Sequence, residues 1–160
     1  MALILAASMA ACSGSDKPSE SEAKAAATTM LGDCQYLTVN DFKRDNGIPQ
    51  QDGSYMVQAN YSVTITPTDD VKNFVENEYQ NQISAAANNP TAINIANEQG
   101  MNRVVTVTEQ VCPNASRRFI AHALYSALSS PSDFDHDVEV QVTNAQIHMI
   151  KTDNGWQLAQ

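Results

Sequence analysis

Strict alternation of apolar and polar residues marks residues 54–66 as a strand. Every second position is apolar: Tyr55, Val57, Ala59, Tyr61, Val63 and Ile65. The positions between them are polar except for Met56. A period of two over this length predicts a long strand with one buried and one wet face, as in an antiparallel sheet. Residues 35–44 predict a second strand, and the turn formers in residues 45–53 predict the loop between the two.

Two segments carry apolar residues three or four apart and predict amphipathic helices. The first starts after Thr68, whose hydroxyl can accept from the backbone of the first turn, and ends at about Ala87, before Asn88 and Pro90. Its apolar stripe is Val71, Phe74, Val75, Tyr79, Ile83 and Ala86. The second helix is predicted over residues 119–128, with the stripe Phe119, Ile120, Ala123, Leu124, Ala127 and Leu128.

The remaining pattern predicts further strands. Residues 103–111 are rich in β-branched side chains and predict a strand, while residues 91–100 are ambiguous and favour a short helix that stops at Gly100. From Val138 the apolar phase alternates and then shifts by one residue, which predicts a bulged strand. The turn formers in residues 153–155 predict a hairpin that returns residues 156–159 onto this strand.

The order of these elements predicts an α+β fold. We expect a twisted, mainly antiparallel sheet of about five strands with two main helices packed on one face.

The N-terminal residues have the pattern of a targeting signal. Residues 1–11 are apolar or small and uncharged, and a polar run follows Cys12 at once. The stretch of residues 9–12 resembles the lipobox of bacterial lipoproteins, in which a signal peptide is removed and the cysteine is acylated. The resemblance implies a signal peptide over residues 1–11 and a lipid anchor, palmitate included, on Cys12. The alternative is a plain thiol at the end of a frayed helix.

The resemblance also implies a location. A lipidated Cys12 would hold the domain permanently in the cell envelope, facing the periplasm, because acyl chains partition strongly into bilayers. Ser13 after the cysteine favours sorting to the outer membrane. Residues 12–32, rich in Ser, Ala and charge, predict a flexible linker, and residues 33–160 a single globular domain.

Two cysteines remain once Cys12 is assigned to the anchor. In an oxidising compartment, Cys34 and Cys112 predict a disulfide. A redox or catalytic role for either thiol is the alternative, but the sequence holds no Cys-x-x-Cys pair and no histidine near them.

Charge excludes one class of partner. The net charge is −9, from 9 basic and 18 acidic residues, so a nucleic-acid interface, which needs a clustered positive face, is not expected. The polar surface is instead rich in amides. We expect no cofactor; the partners expected are the membrane, through the anchor, and an unidentified envelope protein.

Candidate chemistry is sparse. Asp133, Asp135, His136 and Asp137 form an acidic cluster that could hold a divalent cation, although a solvated loop is the favoured interpretation.

His122 could act as a base, but a residue flanking a buried helix face is the simpler interpretation, and we expect His148 at a surface or edge. The doublet of Arg117 and Arg118 fits an acidic partner or plain solvation. We expect Tyr55 and Tyr61 to pack in the core.

No catalytic motif is present in the sequence, so the favoured function is a lipid-anchored binding or accessory module of the envelope rather than an enzyme. A periplasmic inhibitor or immunity protein that uses the acidic loop is one alternative. A small ligand-binding carrier or enzyme is the other.

Overall fold

The chain folds as four antiparallel strands and a set of helices, seen in a computed structural model that describes residues 16–159. The strands are β1 (Leu37–Pro49), β2 (Tyr55–Ile65), β3 (Val138–Thr152) and β4 (Gly155–Leu158). The helices are α1 (Glu20–Met30), α2 (Asp69–Asn73), α3 (Gln80–Ala85), α4 (Pro90–Val111) and α5 (Arg117–Ala127). A π-helical turn, Phe74–Tyr79, joins α2 to α3, and a 3₁₀ turn, Pro131–Phe134, follows α5. The predicted α+β class is confirmed.

The sheet has the order β1-β2-β3-β4, with every neighbouring pair antiparallel. On β2, the predicted inward row is buried: Tyr55, Val57, Ala59, Tyr61, Val63 and Ile65. These side chains share one core cluster with residues of α1, the π-helical turn, α4 and α5. One face of the sheet is therefore covered by helices.

The sheet has four strands rather than the five expected, because residues 103–111 are helical. They form the second half of α4, whose buried residues recur at helical spacing: Ala96, Gly100, Met101, Val104, Val105 and Thr108. Core packing along this stripe outweighs the β preference of its valines and threonines. Gly100 does not stop the helix. A Cβ there would lie 2.6 Å from Cγ of Pro131, so the glycine lets the 3₁₀ turn approach α4.

The predicted bulge in β3 is confirmed. The register between β2 and β3 shifts between Ala59 and Tyr61, and Asn144 on β3 takes a left-handed φ of 55°. The side chain of Asn60 spans the irregularity, because its Oδ1 accepts from the backbone N–H of Asn144 at 2.8 Å. Its Nδ2 donates to the carboxylate of Asp45 on the opposite neighbour, β1.

The predicted hairpin and the predicted first helix are also confirmed. Thr152 pairs with Gly155 across the turn, and β4 returns along β3. Thr68 caps α2 by accepting from the backbone N–H of Val71 at 3.2 Å. The helical run from α2 to α3 ends two residues before the expected position, where Ala87 and Asn88 take left-handed φ values of 46° and 63°.

The linker prediction for residues 12–32 is wrong from Glu20 onwards, because α1 belongs to the domain. Ala23 and Ala27 are fully buried and Leu31 is nearly so. Small side chains let the helix lie close to the sheet, where larger residues such as Trp156 supply the bulk of the core. The Glu22 carboxylate accepts from the backbone N–H of Trp156 at 2.9 Å and so joins α1 to β4.

Candidate functional site

The outer edge of β3 is the least protected part of the sheet. β4 pairs only with residues 149–152 of this strand, and the Ala159 N–H then donates to the His148 carbonyl at 2.9 Å. Beyond that point, among residues 16–159, no backbone hydrogen bond from a further segment reaches the outer edge of residues 138–147. We call this stretch the β3 edge.

Burial varies along the inward-facing row of β3. Ile147 and Met149, which lie beside the end of β4, are 0% exposed. Val140, Val142 and Ala145, on the β3 edge, are only partly buried although they pack against the core cluster. Val138, at the far end of the β3 edge, is buried. The apolar side chains left partly open to solvent are therefore those in the middle of this edge, where no other strand of residues 16–159 pairs with β3.

The opposite edge of the sheet differs. In the first half of β1, the apolar residues Leu37, Val39 and Phe42 are buried. Two register shifts interrupt β1, and Asp41 takes a left-handed φ of 47° within the first of them. Bulges, charged side chains and proline are the devices that keep sheet edges from pairing with other chains. β1 carries two bulges and ends at Pro49, whereas the β3 edge carries one bulge, at Asn144, and no proline. The β3 edge is therefore the less protected of the two.

A second feature is a groove of about 610 Å³ at the end of the sheet that holds the β1–β2 loop. In it, the Ser54 hydroxyl donates to Asp52 at 2.6 Å and lies 2.7 Å from Nε2 of His148. The hydroxyl and backbone N–H of Ser54 lower the pKa of the Asp52 carboxyl.

The polar side chains in this groove stabilise the loop and do not form a catalytic triad. In a hydrolytic triad the histidine lies between the carboxylate and the nucleophile. Here the serine lies between the carboxylate and the histidine, its hydroxyl donates a hydrogen bond to Asp52, and its side chain is buried. The arrangement fixes the β1–β2 loop against His148 on β3 and does not supply an activated nucleophile. His148 itself is exposed on the outer face of the sheet, next to the partly buried Met56.

The predicted disulfide is present. Cys34 and Cys112 are bonded, with a Cα–Cα distance of 5.3 Å and 78 residues of separation. The bond joins the segment before β1 to the end of α4, and both cysteines are buried. Cys12, the predicted lipidation site, lies outside the described residues.

The acidic cluster does not converge on a cation. Asp133 is used within its own loop, where its carboxylate accepts from the backbone N–H groups of Ser129 and Ser130 at 2.8 and 2.9 Å. Asp135 contacts His136, which lowers the pKa of its carboxyl, and both side chains are exposed to solvent. Asp137 is exposed as well. Among residues 16–159, no group of three or more potential ligand side chains could hold a metal ion.

The other candidates are placed on the surface or in the core. Arg118 and His122 line a shallow groove on α5, and Arg117 pairs with Glu109 at 3.1 Å. Tyr55 and Tyr61 are buried as predicted, and burial raises the pKa of the Tyr61 hydroxyl.

The comparisons with known proteins give no match. No protein-family model, no curated protein and no solved structure shows significant similarity to this chain. Over residues 16–159, none of the helices has the length and hydropathy needed to cross a bilayer.

Sequence reasoning missed the β3 edge and the Asp52–Ser54–His148 chain. The pattern from Val138 onwards did predict the strand. Its exposed outer edge was not predicted, because residues 103–111 were expected to form a fifth strand of the sheet and are instead helical. The hydrogen-bonded chain joins residues 94 positions apart, and no local pattern signals it.

Proposed function

We propose that the protein is a lipid-anchored, periplasm-facing module of the cell envelope that binds an extended segment of a protein partner along the β3 edge. The observation that carries the proposal is the row of partly exposed apolar residues, Val140, Val142 and Ala145, beside a strand edge with which no other strand of the described residues pairs. The lipobox-like residues before Cys12 support the anchor, and the Cys34–Cys112 disulfide suits an oxidising compartment.

The binding mode follows from the geometry of a sheet. An added strand forms main-chain hydrogen bonds with the edge, and alternate side chains determine which segment is accepted. Here the partner segment would continue the line of β4, and its inward side chains would cover Val140, Val142 and Ala145. The bulge at Asn144 would divide the contact into two short stretches.

Side-chain contacts decide the affinity in this mode. Each main-chain hydrogen bond contributes only about 0.5–1.5 kcal/mol net. Ordering each residue of an extended segment costs about 1–2 kcal/mol. Backbone pairing alone therefore does not hold a partner, and we expect apolar residues at every second position of the segment that binds.

Photo-crosslinking in intact envelopes tests the proposal. A photoreactive amino acid at Glu139, exposed on the β3 edge, is expected to form a discrete protein adduct. The same residue at Glu76, exposed on the π-helical turn, serves as the positional control. The adduct that forms from position 139 should not form when the photoreactive residue is at position 76.

Two further substitutions separate edge binding from general proximity. In the Glu139 background, Val142→Lys places a charge in the apolar row and should abolish the adduct. Gln141→Lys adds the same charge on the exposed, outward side of the same strand and should leave it intact. Adducts that survive Val142→Lys, or that form equally from Glu76, would contradict binding at the β3 edge.

A further inference from the structure

The described chain begins at the end of the sheet that holds the β1–β2 loop and the β3–β4 turn, which we call the hairpin end. The carboxylate of Asp16 lies 3.8 Å from Nζ of Lys151, the residue before the last of β3. The carbonyl of Pro18 accepts from the guanidinium of Arg44 at 2.5 Å, and the same guanidinium donates to the hydroxyl of Tyr55 at 3.1 Å. The N-terminal segment is therefore fixed to the hairpin end.

The chain between this point and the proposed anchor is short. Only residues 13–15 separate Cys12 from Asp16. Whatever their conformation, four Cα–Cα steps span at most about 14 Å. The polar layer on each side of a bilayer is itself about 5–8 Å thick. An acylated Cys12 therefore keeps the hairpin end at the membrane surface.

Apolar side chains are exposed at this same end. Ile48 on β1 and Ile150 on β3 are 44% and 42% exposed. Ile48 pairs with Met56 and Met56 with His148, so these three side chains lie on the outer face of the sheet. Ile150 follows His148 by two residues and shares that face. Pro49, next to Ile48, also lines the groove there.

We propose that the hairpin end rests on the lipid bilayer, with Ile48 and Ile150 inserted among the headgroups of zwitterionic phospholipids. This inference rests on the proposed anchor at Cys12. The short tether delivers this end to the membrane, and its two isoleucines match the apolar boundary of the bilayer.

Charge selects the kind of lipid. The chain carries a net charge of −9, which repels anionic headgroups. Two basic residues at the hairpin end are also engaged, since Lys151 faces Asp16 and Arg44 binds Pro18 and Tyr55. The contact is therefore apolar and insensitive to salt. Two isoleucines are too few to recruit a free protein, but a short tether supplies an effective concentration on the order of millimolar.

Tryptophan quenching on vesicles tests the docking. The lipidated full-length protein is purified from bacterial membranes and reconstituted into phosphatidylcholine vesicles with brominated acyl chains. Ile150→Trp places a fluorophore at the hairpin end, and Ile95→Trp, at a residue 50% exposed on α4, is the matched control. Trp156 is present in both variants, so the difference between them reports the added residue.

The expected result is a larger loss of fluorescence and a shift of emission to shorter wavelength for Ile150→Trp than for Ile95→Trp. Vesicle flotation of both samples reports the anchor separately. Protein that floats but shows equal quenching in the two variants overturns the docking and leaves the anchor in place. Protein that does not float overturns both.

Discussion

A single amide side chain, that of Asn60, spans the irregular centre of the sheet. Both strands beside β2 are bulged near this residue, and Asn60 accepts from Asn144 on β3 and donates to Asp45 on β1. A residue with one acceptor and one donor suits this position, because each flanking bulge presents the complementary group. Asn60 thus links the bulged parts of β1 and β3 across β2.

Replacing this residue tests its role. Asn60→Ala removes both hydrogen bonds and should lower the free energy of unfolding by about 1–2 kcal/mol, measured by urea denaturation. Gln58→Ala, at the preceding outward-facing position of β2, is the control and should have a smaller effect. Equal losses for the two variants would show that Asn60 does not hold the bulges.

The carboxylate of Glu22 makes stability depend on pH. Hydrogen bonds from the Ser19 hydroxyl and from the backbone N–H groups of Trp156 and Ser19 lower the pKa of this carboxyl below its ordinary value of 4.5. A lowered pKa in the folded state stabilises the protein above the unfolded pKa, and this stability is lost as the pH falls through the folded value.

We expect Glu22→Gln to remove this part of the acid sensitivity. The difference in unfolding free energy between wild type and variant should be largest near neutral pH and shrink below about pH 4.5. Glu20→Gln, an exposed residue in the same helical turn, is the control. A difference that stays constant from pH 7 to about pH 3 would exclude the titration of Glu22 as its cause.

Among the elements, α1 has the role that its sequence least suggests. Its buried side chains are alanines, Ala23, Ala26 and Ala27, so the segment carries no large apolar stripe. Alanine removes little apolar area by itself, and its advantage here is that it permits close approach to the sheet. The Ser19–Glu22 capping box fixes the start of the helix.

A pair of substitutions on α1 separates a packed helix from a linker. Ala27→Asp buries a carboxylate in the core and should lower the free energy of unfolding by about 3 kcal/mol or more. Ala25→Asp, on the exposed side of the same helix, changes helix propensity equally and should cost far less. If both variants unfold like the wild type, α1 is not part of the stable domain.

The disulfide connects two distant elements of the fold. Breaking the Cys34–Cys112 bond releases a constraint across 78 residues, and the chain-entropy model assigns it about 4.5 kcal/mol. We expect the double variant Cys34→Ala, Cys112→Ala to melt at a markedly lower temperature, measured by calorimetry. An unchanged melting temperature would contradict a structural role for the bond.

The elements differ in how far local sequence determines them. The alternation on β2 and the phase shift on β3 report burial on one face, so both the strand and its bulge could be predicted. Residues 103–111 could not be assigned by propensity, because their valines and threonines favour strands while the burial of Met101, Val104, Val105 and Thr108 follows a helical period. Propensity is a weak guide where packing has the opposite preference.

At the scale of the whole molecule, one consequence of these assignments is the β3 edge. Whether a strand has a neighbour depends on every other element of the sheet, so one misassigned segment hides a free edge. Val140 and Val142 are partly exposed, but their local sequence pattern is the same as that of a strand with one buried face. For the same reason the sequence predicted a binding module in general and did not locate its surface.

The two proposed contacts use different parts of the sheet. The hairpin end, with Ile48 and Ile150, would face the bilayer. The β3 edge runs from residue 147 to residue 138, away from that end, because β3 finishes at the hairpin turn. A partner segment could therefore pair with β3 while the domain stays docked on the membrane.

Amide hydrogen exchange of residues 138–147, measured by mass spectrometry, tests partner binding at the β3 edge most directly. The protein labelled in native envelopes should exchange more slowly there than the purified protein, with residues 37–40 of β1, at the end of the strand away from the hairpin end, unchanged as an internal reference. Val142→Lys should remove this protection and Gln141→Lys should retain it. Equal exchange of residues 138–147 in envelopes and in the purified protein would contradict an added strand at the β3 edge.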